Sequence, residues 1–495
     1  MRSYALGLVA ASIAAPALAA SPPIWSGFAA NAQHTAPAPV AGHPLRKILW
    51  HTPVDLDPQY SGNALLIHYA SPMIAGSGLL LVPVKTTATG GFELTALDTK
   101  TGSQKWALAS DYVVPPATWT PPFPAAISPS NNAFIAAAGA TILRRDKLDS
   151  ATAQAQRLAF YGLDIFTAHE AAMTRDVMID TPLTAGPDGT IYFGFVVTAK
   201  NPANLKSGIA RLAPDGTGTW VGATAAAGDS SITQVVMNCA PALSADGTTL
   251  YIAVSNASAG YLLGLDTTTL ATKYEIALTD PSSGQPAWIP DISSASPTIG
   301  PDGDVYYGVL ENPFPSHNNR GWLLHYDATL ATAKTPGSFG WDDTASIVPA
   351  SLVTHYKAKG AYLLMTKYNN YEGIGTGDGE NKIAILDPAA TQQDEYSQTS
   401  VTVMKEAETI LGPTPAPGGG VYEWCINSAA VDAFTGAVFA ASEDGNLYRW
   451  DLARNKLTQH QSLTAPTDQG YTPNLVGPNG TVYAVNNATL FAIGK

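Results

Sequence analysis

The residues able to do chemistry are few and widely spread along the 495-residue chain. Cys239 and Cys425 are its two cysteines, and each stands seven residues before an aspartate, Asp246 or Asp432. Thiols in one phase of a repeat could pair, act as a reactive site or ligate a metal; the plainer alternative is two buried apolar thiols. Asp342-Asp343 could hold a cation or form a general acid/base pair. Neighbours on a strand point to opposite faces, so the two reach one ligand only from a loop. Otherwise one is solvated and the other caps a turn. Glu311-Asn312 with Asp291 offers oxygen ligands for Ca²⁺, or ordinary loop hydrogen bonds. His317 and His68 could move protons. Lys367-Tyr368 and Glu423 add an amine, a phenol and a carboxylate. No HxH, HExxH, CxxC or GxSxG pattern occurs, so no zinc centre or serine elbow has a local signature.

What must position these groups is a repeat of roughly 50–60 residues, the spacing of blade-like arrays. Its phrase is a small residue, Pro, apolar residues, a D-G or N-G turn, then an aromatic and β-branched run. Thr181-Pro182 leads to Asp188-Gly189 and IYFGFVV; Ser296-Pro297 leads to Asp302-Gly303 and VYYGVL. Ser71-Pro72, Ala240-Pro241 and Thr472-Pro473 open further copies, and weaker ones start near Pro121, Pro349 and Asn427. Turns of this type between β-rich runs make hairpins. A third strand follows and ends in aspartate, as at Asp98, Asp266, Asp327, Asp387 and Asp451, and a shorter fourth comes after the next turn. Four strands per unit predict an all-β chain, a single β-propeller of about eight four-stranded blades. The last copy has three strands. The segment Lys47–Leu56 can supply the fourth, so that the two ends of the chain share one blade and no sheet edge is left free.

The run Ala96-Leu97-Asp98-Thr99-Lys100-Thr101-Gly102-Ser103-Gln104-Lys105-Trp106 resembles the docking motif of the PQQ-like propellers, with degenerate copies at Gly264–Leu270 and Arg449–Leu457. That superfamily includes quinoprotein dehydrogenases and an outer-membrane assembly-factor propeller. The chain also resembles an uncharacterised family of exported bacterial propellers. The resemblance implies the fold across nearly the whole chain, but it does not carry the chemistry. The adjacent Cys-Cys pair that such dehydrogenases place over the quinone is missing, and their Ca²⁺ and quinone ligands find no counterpart pattern.

Formal net charge is −13 with only 13% charged residues, which speaks against nucleic acid as a partner. Residues 1–20 read as a signal peptide: Arg2, an apolar stretch, then Ala17, Ala19 and Ala20 as cleavage residues. Residues 21–46 form an N-terminal extended segment and 47–495 the propeller. The mature protein is expected to be exported, without a lipid anchor or membrane span, and monomeric. An eight-blade ring sets inner strands three blades apart at roughly 20–25 Å, too far for a disulfide unless loops lean inward.

Propeller topology sends the loops between blades, and those between second and third strands, to one face. Nearly all the unusual residues lie in those loops. The expected function is binding of a small molecule, glycan or protein at the mouth of the channel, through Cys239, Asp291, Glu311, Asn312, His317, Asp342, Asp343, Lys367, Tyr368, Glu423 and Cys425. The rivals are a PQQ- or metal-dependent oxidoreductase, and a carbohydrate lyase or hydrolase using Lys367, Tyr368, His317 and acidic neighbours.

Overall fold

Each copy of the repeat phrase folds the same way for the same reasons. The β-branched and aromatic run forms the second strand, buried on both sides, as in Ile191–Val197 and Thr249–Ser255. The D-G turn before it needs a left-handed residue, and Gly189 and Gly303 supply it at φ 86° and 90°. The aspartate ending the third strand caps the next turn: Asp98 Oδ1 accepts the amides of Lys100 (3.0 Å) and Thr101 (3.1 Å).

The computed structural model describes residues 21–290, 293–469 and 473–495. The expected leader and Asp291 therefore lie outside the described residues. Within them, eight antiparallel sheets form blades 1 to 8: residues 73–110, 125–158, 177–222, 234–277, 298–337, 346–411, 430–462, and finally 474–494 with 47–53. Blade 5 has three regular strands. Its fourth place is held by bridges from Leu323 to Gly337 and from Tyr326 to Ala333. Blade 8 closes the ring as its missing strand requires: Lys47–Pro53 pairs antiparallel with Thr489–Gly494 as the outermost strand.

The docking motif proves to be joinery between blades. Trp106 Nε1 donates to Leu148 O in blade 2 (2.6 Å), and Trp50, from the closing strand, packs over Gly102 and donates to Thr99 O (3.3 Å). A Cβ at Gly102 would lie 2.7 Å from the Trp50 ring, so only glycine fits. Small polar residues on the innermost strands are latches. Thr184 Oγ1 donates to Pro241 O (2.6 Å), Thr298 Oγ1 to Ala345 O (2.8 Å) and Ser346 Oγ to Ala429 O (2.8 Å), each reaching the next blade.

The innermost strands would leave amides facing the channel unpaired. Residues 24–38 coil across the channel at the face of the short turns and satisfy them. Ile74, Ile127, Leu243, Ile299, Ile347 and Val431, each on an innermost strand, donate to Trp25, Ser26, Ala32, Gln33, Thr35 and Ala36 respectively, at 2.7–3.2 Å. The segment thus touches blades 1, 2, 4, 5, 6 and 7 in order, and it closes one end of the channel. Trp25, Ala29, Ala30 and Ala36 join the main hydrophobic core. Ala29, Ala30, His34 and Ala36 adopt left-handed backbone, a conformation non-glycine residues keep only where the surroundings enforce it.

Candidate functional site

On the face opposite the plug, the entry loops meet near the axis, where Asn427 Nδ2 donates to Ser294 O (3.3 Å) and Asn238 Nδ2 to Ser293 O (3.3 Å). There a cavity of about 440 Å³ is lined by loops from blades 5 to 8 and the loops leading into blades 1 and 2. Asp342 and Trp341 come from the loop into blade 6, Glu423 and Cys425 from the loop into blade 7, and Asp468 and Gln469 from the loop into blade 8. Lys367 sits near the end of blade 6's second strand, and Glu443 follows the second strand of blade 7. His68 and Trp119, stacked at 5.7 Å, form part of the wall, and Tyr371 another.

Local chemistry holds each group in place. Asp342 has left-handed backbone, which aspartate tolerates, and its Oδ1 accepts Ser294 N (2.7 Å) and Oγ (3.1 Å). Its Oδ2 lies 3.9 Å from Lys367 Nζ. Lys367 is 3% exposed, and no hydrogen bond among the described residues holds its ammonium. Asn369 and Trp424 exchange a reciprocal pair of 3.1 Å bonds that ties blade 6 to the Glu423–Cys425 loop. Asn369→Ala removes both; we expect about 1–3 kcal/mol of lost stability, read as a lower denaturant midpoint. Asp468-Gln469 pairs in parallel with Ala64-Leu65, so the first loop of the ring braces the last. Gln469 Oε1 accepts from Asn487 N (2.7 Å) and Tyr69 OH (3.3 Å), while its Nε2 is buried without a partner.

The electrostatics are acidic around one cation. Burial, then the charge of Asp468, pushes Glu423 up to about 7 against the pull of Lys367. Burial and the charges of Glu423 and Asp468 hold Glu443 well above the usual carboxyl range, and burial also raises Asp468. Burial pulls Lys367 down, but Asp342, Cys425, Asp343 and Glu423 together leave it raised. Burial, then Glu443, pushes the Cys425 thiol up, which makes it a poor nucleophile. Burial drops His68 to about 3, so the ring is neutral.

Of the residues singled out from sequence, His68, Asp342, Lys367, Glu423 and Cys425 line this cavity. Asp343 lies just behind it, buried, accepting the Thr366 hydroxyl. The others among the described residues are elsewhere. Glu311 is fully buried and caps its own loop, accepting Asn319 N (2.7 Å) and Gly321 N (2.8 Å). Asn312 donates through Nδ2 to Pro286 O (2.7 Å), and its amide donates to Asp280. His317 is sealed: it stacks on Trp322 at 3.8 Å and pairs with Asp394 (3.2 Å). Tyr368 packs between blades 5 and 6, under Arg320 and bonded to Glu406 (2.8 Å). Cys239 is buried in blade 4 and the Cys425 thiol bonds to Gln469 O; the two form no disulfide, so that open question resolves to two separate thiols.

Glu443, Asp468 and Gln469 escaped the sequence reading. Glu443-Asp444-Gly445 resembles the generic D-G turns of the other face, yet it joins second and third strands and so belongs at the mouth. Counting strands from the Asn427 phrase would have shown that phase.

Among the described residues no group of three His, Cys, Asp or Glu is placed to hold a metal ion. No helix there is long and apolar enough to cross a membrane. No protein-family model matches the chain, and no curated protein matches it. Solved structures do. A europium-containing methanol dehydrogenase matches over 93% of this chain and 89% of its own, at 10% identity and TM-score 0.55. A quinohemoprotein alcohol dehydrogenase from Pseudomonas putida matches over 96% and 76%, at 12% identity and TM-score 0.52. In fold, the chain is an eight-bladed β-propeller. Sqt1 from Saccharomyces cerevisiae matches over 92% and 99%, at 10% identity and TM-score 0.50. Likeness at this identity carries the propeller architecture and leaves chemistry to the site.

Proposed function

We propose that this propeller is an exported binding protein whose mouth takes a small polar ligand. One observation carries the reading. Loops of blades 5 to 8 and those leading into blades 1 and 2 line an open cavity with ionisable groups, and there Lys367 Nζ, on a side chain buried to 3% exposure, has no hydrogen-bonding partner among the described residues, only the Asp342 carboxylate at 3.9 Å. Buried polar groups are ordinarily satisfied, and leaving one unmade costs about 1–3 kcal/mol. A ligand supplying the partners recovers that cost. The leader-like start of the sequence supports export.

The test is thermal stabilisation by a panel of amino acids, monosaccharides, amino sugars, polyamines and short alcohols. A ligand at a hundred times its Kd adds about 2.7 kcal/mol. We expect one class to stabilise the protein and Lys367→Met to abolish the effect. Equal stabilisation of both proteins would place binding elsewhere.

The quinoprotein reading draws on the shared fold of two dehydrogenases. The donor set here does not fit that cofactor. PQQ carries three carboxylates, and the mouth offers one ammonium, Lys367, among Asp342, Glu423, Glu443 and Asp468. One ammonium cannot balance three ligand carboxylates in a partly desolvated recess, and any of the surrounding carboxyl groups that ionises adds repulsion. We expect PQQ with Ca²⁺ to show no change in quinone absorbance on mixing and no dye-linked alcohol oxidation. A bound-quinone spectrum would reinstate that reading. For the lyase or hydrolase alternative, only Lys367 of its named trio lines the mouth, since Tyr368 and His317 are buried elsewhere.

A further inference from the structure

We infer that a recess on blade 3, independent of the mouth, binds one free amphipathic carboxylate of the fatty-acid type. Its apolar walls and its purely cationic rim call for the two halves of that molecule separately.

The recess lies between residues 198–207, which join the second and third strands of blade 3, and the connection from its fourth strand into blade 4. It encloses about 820 Å³, a usual size for a small-molecule pocket. Val197, Leu205 and Trp220 on its wall belong to or pack on the core shared by blades 1 to 3, and Ala225 faces them from the connection. The fold sets this wall in advance. Asn201, 3% exposed, clamps the loop through both ends of its amide: Oδ1 accepts Leu205 N (3.0 Å) and Nδ2 donates to Leu205 O (3.1 Å). Val197 N donates to Ser207 Oγ (2.9 Å), and Trp220 rests edge-on against Phe195 at 6.0 Å. An apolar tail laid along this wall removes its surface from water without rearranging it.

The rim carries charge of one sign. Lys200 and Lys206 stand one residue outside the Asn201–Leu205 clamp on either side, and both line the recess. Among the described residues they are its only ionisable side chains, and neither has a carboxylate partner or a hydrogen bond. The nearby carboxylates are engaged elsewhere. Asp176 pairs with Arg175 (2.6 Å), and Asp229 accepts Ser231 N (2.8 Å) and Tyr261 OH (3.1 Å). In a chain of net charge −13, a rim of lysines alone favours an anion locally. Both lysines are exposed, so the charged head stays in water at the rim while the tail enters the recess. An inorganic anion would leave the apolar wall bare, and a neutral hydrocarbon would leave the lysines unmatched.

Calorimetric titration of the protein with decanoate, hexanoate and decan-1-ol, all below their aggregation limits, tests this. We expect one decanoate per chain. Hexanoate, four methylenes shorter, should bind at least about tenfold more weakly, since each buried methylene adds about a three- to fourfold gain. Decan-1-ol keeps the tail without the charge and should bind about five- to tenfold more weakly than decanoate. Replacing both exposed lysines, Lys200→Gln with Lys206→Gln, should bring decanoate down to the level of decan-1-ol and leave decan-1-ol unchanged. With decanoate bound, hydrogen exchange should slow in residues 197–207 and stay the same in 421–427. No binding of decanoate overturns the inference, and so does binding as strong for decan-1-ol or unmoved by the double variant. Protection elsewhere with 197–207 unchanged overturns the site. Flotation with phosphatidylglycerol vesicles separates a free acid from a lipid surface. The protein should stay unbound, and lysine-dependent capture by the vesicles without decanoate binding would overturn the free acid.

Discussion

Trp25→Ala should cost the protein about 3–5 kcal/mol, the usual range for emptying a fully buried tryptophan site. Trp25 is 1% exposed, and its backbone bridges Ile74 on the innermost strand of blade 1. The loss is not confined to a cavity. Residues 24–38 carry main-chain bonds to six blades, and their left-handed alanines hold that shape only while the segment is seated. Loosening its first anchor should therefore expose the amides of Ile127, Leu243, Ile299, Ile347 and Val431 as well. Hydrogen exchange at those amides should accelerate together. Trp288→Ala is the control: Trp288 is 41% exposed, and its removal should change stability by no more than about 0.5 kcal/mol. Equal, small effects at both positions would show that the segment is a passive strap rather than a structural floor.

The second large effect is a pH dependence at Asp343. Burial first, opposed by Lys367 and the Thr366 hydroxyl, pushes its carboxyl up to about 7 from an ordinary value of 3.8. The unfolded chain loses this proton near the ordinary value, whereas the folded protein keeps it to about 7. Between those limits the folded state binds one more proton, so this residue's contribution to stability falls as pH rises. The slope is about 1.4 kcal/mol per pH unit, and it flattens once the folded carboxyl has also ionised. Asparagine has no proton to keep. Measured by urea unfolding, Asp343→Asn should gain on the natural protein by roughly 2–4 kcal/mol between pH 4 and pH 8. The comparison must be a difference, because neutral buried His34 and His68, lowered to about 4 and about 3, tilt the absolute curve the other way. A difference that does not change with pH would mean that Asp343 is ionised in the fold.

The architecture was legible in the sequence because a repeat announces itself many times. Eight copies of one phrase, each with its turn glycine and capping aspartate, leave little choice about strand order, and the three-stranded last copy pointed to Lys47–Leu56 as its complement. The plug was not legible. Residues 24–38 have no periodicity, and their role depends on amides contributed by six blades scattered over some 350 residues. The site was half legible. Asp342, Lys367, Glu423 and Cys425 stood out by type and by loop, and the fold brings them together. Glu311 and His317 stood out for the same reason, yet they serve the interior of their own long insertion. A loop residue that caps its loop and one that faces a ligand have the same sequence appearance. What separates them is whether the side chain finds protein partners, and only the assembled ring shows that Glu311 has two amides while Lys367 has no hydrogen bond among the described residues.

A second recess is the natural competitor for any ligand. Near blade 3, residues 197–207 with Trp220 and Thr233 enclose about 820 Å³, more than the mouth, but its ionisable groups, Lys200 and Lys206, are exposed to solvent. The most direct measurement is therefore hydrogen–deuterium exchange with and without the strongest stabiliser from the small-molecule panel. Protection in peptides spanning residues 365–375, 421–427 and 441–445, with 197–207 unchanged, is the predicted result. Protection of 197–207 with the mouth peptides unchanged would contradict it.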